Sequence, residues 1–142
     1  MTARAVSVAA LVTAPPGAVF ALLADPHRHH EVDGSGSVRH AVSGPRRLQL
    51  GDRFSMRMRI GLPYLITSRV VEWEPDRLIA WCHIARAIWR YELQPVDGGT
   101  RVTETFDWAR SPFAYGIERL GWPARNARSI AATLRRLQDH FA

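Results

Sequence analysis

The sequence contains no lysine and only one cysteine, Cys82, among its 142 residues. A single cysteine excludes an internal disulfide and a zinc site built from several cysteines, and it agrees with a reducing compartment. We expect Cys82 to be a small core residue. The apolar N-terminal stretch is broken by Ser7 and Thr13 and stops at Pro15-Pro16, which is too short for a signal peptide or a membrane span. We therefore expect a cytoplasmic protein.

All 19 basic residues are arginine, and they outnumber the 13 acidic residues to give a formal net charge of +6. Such an excess can attract nucleic acid or acidic membranes, because binding releases counterions from the polyanion. The arginines are scattered, however, and only Arg46-Arg47 and Arg135-Arg136 are adjacent. A net positive charge is weak evidence for nucleic-acid binding when the basic residues form neither a continuous surface patch nor a known binding motif. We therefore predict no nucleic-acid partner.

Several functional classes find no support in the sequence. It has no internal repeat or low-complexity tract, and it lacks the GxSxG elbow of many hydrolases, a phosphate-binding loop and a dinucleotide fingerprint. With 46% hydrophobic residues, the length suits one ordinary domain with a real core, so residues 1–142 are predicted to form a single domain. No cofactor is implied.

The N-terminal part predicts a strand and then a short helix. Residues 5–13 are typical of a strand, and Pro15-Pro16 suits the start of a helix. Asp25-Pro26 ends that helix, because a residue before proline avoids the helical region. The segment from His27 to Ser37 ends in glycine and serine and is predicted to be a mobile loop.

The middle of the chain has the strongest pattern. From Arg53 to Ile60 apolar and polar residues alternate strictly, which predicts a half-buried antiparallel strand. Gly61-Leu62-Pro63 is predicted to turn the chain into a strand that runs to about Glu74. Further strands are predicted at 78–84, around Trp89 to Leu93 and at 100–108, with a hairpin turn at Asp97-Gly98-Gly99. The side chains expected on the inward faces are Phe54, Met56, Met58, Ile60, Trp89, Tyr91 and Leu93.

The C-terminal part changes to a helical period. Ser111-Pro112 is predicted to begin a helical stretch, and Pro123 is predicted to kink or split it. The main helix is expected from 124 to 141. Its apolar stripe recurs at spacings of four, three and four and consists of Ile130, Leu134, Leu137 and Phe141. The predicted order of elements is a strand, a short helix, a meander of strands and a long helix. This order predicts an α+β fold in which one sheet packs against a helix.

Four segments carry a resemblance to a known family: Ala14 to Pro26, Asp33 to Ser37, Val71 to Trp81 and Tyr91 to Thr105. They resemble the START-like (SRPBCC, helix-grip) superfamily, specifically its bacterial polyketide cyclase/dehydrase-like branch. The resemblance implies an α+β helix-grip fold, in which a curved antiparallel sheet packs around a long C-terminal helix, with two short helices after the first strand. It also implies a cavity for a small hydrophobic or aromatic ligand, without a shared catalytic set.

Glu104 is the main candidate site residue. If Val102, Phe106 and Trp108 face the core, the period of two places Glu104 on the same face among apolar neighbours. Burial raises the pKa of a carboxyl, which suits acid/base chemistry or anchoring of a ligand. The alternatives are an internal partner such as an arginine or Tyr91, and a register shifted by one residue, which would turn the neighbouring threonines inward.

Other candidates lie on the inward strand faces and on the helix. Asn126 is four residues before Ile130 and is expected to hydrogen-bond a ligand, with a capping role beside Pro123 as the alternative. Trp89 is expected mainly to fill the core. The complete predicted ligand-binding set is Phe54, Met56, Met58, Trp89, Tyr91, Glu104, Phe106, Asn126, Ile130 and Leu134.

His27, His29, His30 and Asp33 are metal-ligand residue types that lie close together in the sequence. Their spacing matches no metal motif, so no metal is predicted and a solvated loop is expected. The resemblance places this segment at the cavity mouth, where His29 or Asp33 would assist chemistry on a bound ligand.

The sequence leaves three functions open. The first is binding of a mostly apolar small molecule, whether aromatic, polyketide-like or lipid-like, between sheet and helix. The second is a cyclase or dehydratase-type enzyme in the same cavity, with Glu104 as the acid/base group. The third is a protein-interaction adaptor. Ligand identity and oligomeric state, with a homodimer as one option, are also open, as are the faces of Trp81 and His83.

Overall fold

The computed structural model describes residues 4–35, 38–82 and 86–142, without the side chains of Arg39, His40, Val42 and Ile60. Within these ranges a seven-stranded antiparallel sheet of order β1-β7-β6-β5-β4-β3-β2 curves around one long helix. The strands are β1 Ala5–Val12, β2 Val38–Ser43, β3 Arg53–Ile60, β4 Leu62–Glu74, β5 Leu78–Cys82, β6 Ile88–Val96 and β7 Gly99–Asp107. The helices are α1 Pro16–Leu23, α2 Ala114–Arg119 and α3 Trp122–His140, with a 3-10 helix at Pro26–Glu31.

The predicted α+β helix-grip fold is confirmed, including the two short helices after the first strand. β2 was not predicted, because Val38–Ser43 lacks a clean apolar and polar alternation. The expected loop from His27 to Ser37 is wrong over its first half, where the 3-10 helix lies. The Asp25 carboxylate starts that helix by accepting a hydrogen bond from the His27 backbone N–H at 3.0 Å.

The expected helix start at Ser111-Pro112 is also wrong. The Ser111 hydroxyl instead accepts a hydrogen bond from the backbone N–H of Phe113 at 3.1 Å, in a turn that precedes α2. Gly121, with a φ of 73°, ends α2 in the left-handed region, and α3 begins directly after it with Pro123 in its first turn. The helical stretch is therefore split near Pro123 and not kinked, which is one of the two outcomes that the sequence predicted.

The cavity exists because α3 covers only part of the sheet. The helix packs chiefly on β1 and β7 and buries Ile130, Leu134 and Leu137. α1 lies at one end of the packed sheet and helix, and its apolar face is fully buried. Inward side chains of β3 to β6 and residues of the first turns of α3 line the cavity that is left between them.

Two expectations from the sequence concern a membrane span and the position of Cys82. Across the described residues, no helix is both long and apolar enough to cross a bilayer. Cys82 is partly exposed at the end of β5 and is not the core residue that was expected, because the adjacent Trp81 faces the cavity and successive side chains of a strand point to opposite faces. The predicted continuation of this strand through His83 lies outside the described residues.

Arg90 connects three strands on the convex face of the sheet. Its guanidinium donates two hydrogen bonds of 2.7 Å to the Glu72 carboxylate on β4 and one of 3.4 Å to Asp107 on β7. It reaches Glu72 across Ala80 on β5, which is small enough to leave the path open. The Arg90 guanidinium holds the pKa of the Glu72 carboxyl below its usual range.

We expect the Arg90→Met variant to lose about 1–2 kcal/mol of unfolding free energy at neutral pH, because two carboxylates lose their shared cation at a partly exposed site. Urea denaturation checks this value. The matched control is Arg101→Met on β7, an exposed arginine with no ion pair among the described residues, which should stay within about 0.5 kcal/mol of the wild type. Equal losses of unfolding free energy in both variants would show that the ion pairs of Arg90 with Glu72 and Asp107 add nothing to stability.

Candidate functional site

A cavity of about 620 Å³ lies between the concave face of the sheet and α3. Its wall is mostly apolar and aromatic, with a few polar side chains. Nearly all of the predicted ligand-binding side chains line it: Phe54, Met56, Met58, Trp89, Tyr91, Glu104, Phe106, Asn126 and Ile130. His29 and Asp33 line it as well. The spacing that positions these side chains is the period of two in β3, β6 and β7.

Leu134 is a correction to the predicted set. It is 2% exposed and belongs to the core, but it does not line the cavity. Leu93 and Leu137, which were expected on the inward faces, are buried away from the cavity in the same way. The reason is the direction of α3, whose second half packs directly on β1 and β7 and leaves no space there.

Sequence reasoning missed several cavity residues. Trp81 lines the cavity, which settles its face, and Tyr64 and Trp122 also line it. Trp81 could not be placed because β5 is apolar on both faces. Tyr64 shares an alternation with Ile66 and Ser68 on β4, and this pattern was a usable signal.

Glu104 lies on the cavity wall and is 3% exposed. It is the cross-strand neighbour of Tyr91, whose phenol lies close enough to act on the pKa of the Glu104 carboxyl. Its Oε1 is the one fully buried side-chain nitrogen or oxygen without a hydrogen-bond partner among the described residues. The predicted inward register is therefore confirmed, and Tyr91 is the internal partner that had been considered as an alternative.

The pKa of Glu104 is raised to about 8. Desolvation by burial is the main cause, the hydrogen bond from Tyr91 opposes it, and the negative charge of Asp33 adds to it. Burial also raises the pKa of the Tyr91 phenol well above its ordinary value, with a contribution from the Glu104 charge. At pH 7 the pair is therefore neutral, and Glu104 is a carboxylic acid able to donate a hydrogen bond.

His29 is partly buried and lies against two aromatic rings, which corrects the expectation of a solvated loop. Its ring stacks on Trp81, with centroids 5.0 Å apart, and meets the Phe54 ring edge-on at 5.6 Å. Its Nε2 lies 2.7 Å from the backbone carbonyl oxygen of Leu23. Desolvation lowers the pKa of His29 below 6.5 despite that hydrogen bond and the nearby Asp25 and Asp33 charges.

The three neighbouring histidines point to different places. His27 Nε2 lies 3.0 Å from the carbonyl oxygen of Gly44, His29 reaches Leu23, and His30 is exposed. In the described part of the chain, no group of three or more His, Cys, Asp or Glu side chains is arranged to hold a metal ion.

Asp33 lies at the rim and forms part of a loop that is tied to α3. Its carboxylate accepts hydrogen bonds from the Ser35 hydroxyl at 2.8 and 2.9 Å, and its carbonyl accepts one from Arg136 at 2.8 Å. The Gly34 N–H donates to the Thr133 hydroxyl at 2.9 Å. These contacts fix the 3-10 helix segment, and with it His29, against the long helix.

Asn126 lies in the second turn of α3 and lines the cavity, so its side chain is not a helix cap. Arg125, beside it, is exposed at the rim, with its guanidinium 5.9 Å from the Trp122 ring centroid. Charged side chains thus lie at the opening, while the inner wall carries the neutral Tyr91–Glu104 pair.

Comparisons with known proteins agree with this architecture. The chain is 44% identical over 137 residues to the uncharacterized protein Rv0088 of Mycobacterium tuberculosis. That match covers 92% of this chain but 61% of the relative, so the chain spans about three fifths of the length of the curated relatives it matches.

Solved structures show the same fold at low sequence identity. Protein NE0264 of Nitrosomonas europaea superposes with a TM-score of 0.74 at 16% identity, over 98% of this chain and 95% of that one. The Polyketide_cyc-like protein Cgl2372 of Corynebacterium glutamicum gives 0.61 at 20% identity, over 96% and 90%. A family model described as polyketide cyclase/dehydrase and lipid transport matches residues 3–142. This chain belongs to that family, a branch of the START-like superfamily.

Proposed function

We propose that this protein binds a neutral, mostly apolar small molecule in the cavity between the sheet and α3. The observation that carries the proposal is the cavity itself, whose wall is mostly apolar and aromatic and includes the buried carboxyl of Glu104. Such a wall stabilises a ligand by removing its apolar surface from water.

The dimensions and charges of the cavity support the same proposal. Its volume of about 620 Å³ falls in the usual range for small-molecule sites. Glu104 and His29 are both neutral at pH 7, and Asp33 and Arg125, the charged residues of the lining, have opposite signs, so the cavity has no net charge to balance that of an ionic ligand. A charged ligand would lose its hydration without compensation.

The experiment is to incubate the purified protein with cell extract and to identify retained molecules by native mass spectrometry, together with a thermal-shift screen of aromatic and acyl-chain compounds. Glu104→Gln is expected to change the set of retained molecules or weaken their binding about tenfold, because an amide replaces the acid. Glu92→Gln is the matched control, since Glu92 is exposed on β6 and does not line the cavity. Absence of any retained or stabilising molecule would refute the proposal.

Acid/base catalysis in the same cavity is the second candidate. It is favoured by the pKa of about 8 of Glu104, which makes both protonation states accessible near neutral pH. For any retained molecule that the wild type converts, Glu104→Gln should lower turnover at least about a hundredfold while binding falls much less. Unchanged turnover would remove Glu104 from the mechanism.

A further inference from the structure

The β3–β4 hairpin has a second face, which points away from the cavity. Met56 and Met58 on β3 and Tyr64 on β4 line the cavity, so the alternate residues of both strands point to the convex side of the sheet. The outward cross-strand pairs, which we call the outer hairpin face, are Arg53 with Arg69, Ser55 with Thr67, Arg57 with Leu65 and Arg59 with Pro63.

The positive charge of the outer hairpin face is not compensated within the protein. Its four arginines are exposed, and none of them forms an ion pair with any residue that the structure describes. The sequences of β2, of β3 and of residues 62–71 in β4 contain five arginines and no acidic residue. The tertiary structure thus brings together arginines that are scattered in the sequence.

A solvated sheet surface does not account for this arrangement. Arg53 lies directly opposite Arg69, and like charges in facing positions of two strands destabilise a sheet. Elsewhere on the convex side Arg90 is held between two carboxylates. Protection of a sheet edge is not the reason either, because β2 lies outside β3 at that end of the sheet. An anionic partner would remove the repulsion.

Exposed leucines accompany the arginines. Leu65 is 57% exposed opposite Arg57, and Leu62 is 79% exposed at the tip of the hairpin. Leucine is stabilised when it leaves water for the boundary of the acyl chains of a bilayer, and arginine is attracted by anionic headgroups. A bilayer therefore suits both residue types, whereas a phosphate backbone suits only the arginines.

The position of the hairpin in the sheet also disfavours nucleic acid. A two-stranded β-ribbon can enter the major groove of DNA. Here β2 and β5 pair with the outer sides of β3 and β4, so the hairpin is part of a broad sheet surface and not a free ribbon. Such a surface fits an extended anionic surface better than a groove.

We propose that the outer hairpin face docks on an anionic lipid bilayer, with its arginines against the headgroups and with Leu62 and Leu65 at the boundary of the acyl chains. The attachment is peripheral. The outer hairpin face and the cavity lie on opposite faces of β3 and β4, so this proposal does not rest on the proposed function.

The test is co-sedimentation with lipid vesicles at low ionic strength. The wild type should bind vesicles of equimolar phosphatidylglycerol and phosphatidylcholine, and it should not bind vesicles of phosphatidylcholine alone. One arginine near an anionic surface strengthens binding about fivefold. The double variant Arg57→Gln/Arg59→Gln should therefore lower the partition coefficient about 25-fold.

The matched control is the double variant Arg128→Gln/Arg135→Gln. Both arginines are exposed on α3, which packs on the opposite side of the sheet, and the change in net charge is the same. Its partition coefficient should stay within about threefold of the wild-type value, because charges far from the contact are screened. Equal losses in the two double variants, or no binding of the wild type to the anionic vesicles, would overturn the proposal.

Leu65→Ser separates a bilayer from other polyanions at constant net charge. It should weaken vesicle binding about fivefold, since part of the apolar contribution is lost. Fluorescence anisotropy with a DNA duplex provides the other arm of the test. Binding of DNA that depends on Arg57 and Arg59 but not on Leu65, together with no binding of vesicles, would overturn the assignment to a membrane in favour of nucleic acid.

Arg69→Glu shows whether a loss of binding comes from damage to the fold. An acid opposite Arg53 replaces a repulsive pair by an attractive one, so the melting temperature should not fall. Vesicle binding should fall about 25-fold, because the change removes two units of positive charge from the face. A lower melting temperature would show that the arginines stabilise the sheet and would remove the reason for assigning them to a partner.

Discussion

The unfolding free energy of the wild type is expected to fall by on the order of 4 kcal/mol between pH 5 and pH 8.5 relative to that of the Glu104→Gln variant. The cause is the raised pKa of Glu104, about 8 in the folded protein against an ordinary value of 4.5. One pKa unit corresponds to about 1.4 kcal/mol of differential stability. Such a loss is a large fraction of the stability of a typical domain.

The sign follows from the direction of the shift. The folded protein holds the Glu104 proton more tightly than the unfolded chain does, so this contribution to stability is fully present below about pH 4.5. It is lost progressively as the pH rises through about 8. Glutamine does not titrate, and the variant therefore lacks this component.

The comparison with the variant isolates Glu104 from other titrating groups. His29 has a lowered pKa, so its contribution is present above 6.5 and is lost as the pH falls, in the opposite direction. Both proteins contain His29, and its effect cancels in the difference. Urea unfolding at intervals of half a pH unit, followed by tryptophan fluorescence, measures the two curves. Parallel curves would show that Glu104 ionises in the folded state as it does in water.

Replacing Gly99 by alanine is expected to lower the unfolding free energy by about 3 kcal/mol, with a loss of roughly 10 °C in melting temperature. Gly99 begins β7 with a φ of 150°, and a Cβ there would overlap the backbone carbonyl oxygen of Val12. Because Val12 pairs with Thr100 at the same end of β1, the clash pushes two paired strands apart. The atoms that the added Cβ would meet are backbone atoms, so no flexible side chain can move away to make room.

The matched control is the adjacent glycine of the same turn. Gly98 also has a positive φ, 86°, but a Cβ there meets no atom within 4 Å. Gly98→Ala should therefore lose only the conformational cost, about 1 kcal/mol. Calorimetric melting of both variants provides the comparison. Equal losses would mean that β1 and β7 adjust freely to the added methyl group.

The periodicity of apolar residues was sufficient to predict an element and its buried face wherever the opposite face of that element is polar. β3 alternates apolar and polar residues strictly, so its extent and its inward face were predictable. In β7 the apolar Val102 and Phe106 indicated a register with Glu104 inward, and the structure selects it over the shifted alternative. β5 is apolar on both faces, and its alternation is uninformative for that reason. β2 was missed because its pairing with β3 contains two register shifts that its sequence does not signal.

Local signals at helix ends were read less accurately than strand faces. Ser111-Pro112 has the residue types of a helix start, yet the chain forms a turn there. The 3-10 helix after Pro26 begins at an Asp25 cap that was interpreted only as the end of α1. In both cases the same residue types satisfy backbone N–H groups in a turn as well as in a helix.

The sequence by itself determined most of the strands and the long C-terminal helix, because these depend on periods of two and 3.6 residues along single segments. The curvature of the sheet around that helix was implied by the family resemblance, and the choice between the two registers that the sequence left open for Glu104 needed the structure. Only the tertiary structure decided which inward residues face open space. α3 crosses onto β1 and β7, so Leu134 becomes core while Asn126 and Ile130 face the cavity. The meeting of His29 with Trp81 is likewise a contact between segments about fifty residues apart, and it depends on the crossing of layers, which no local pattern encodes.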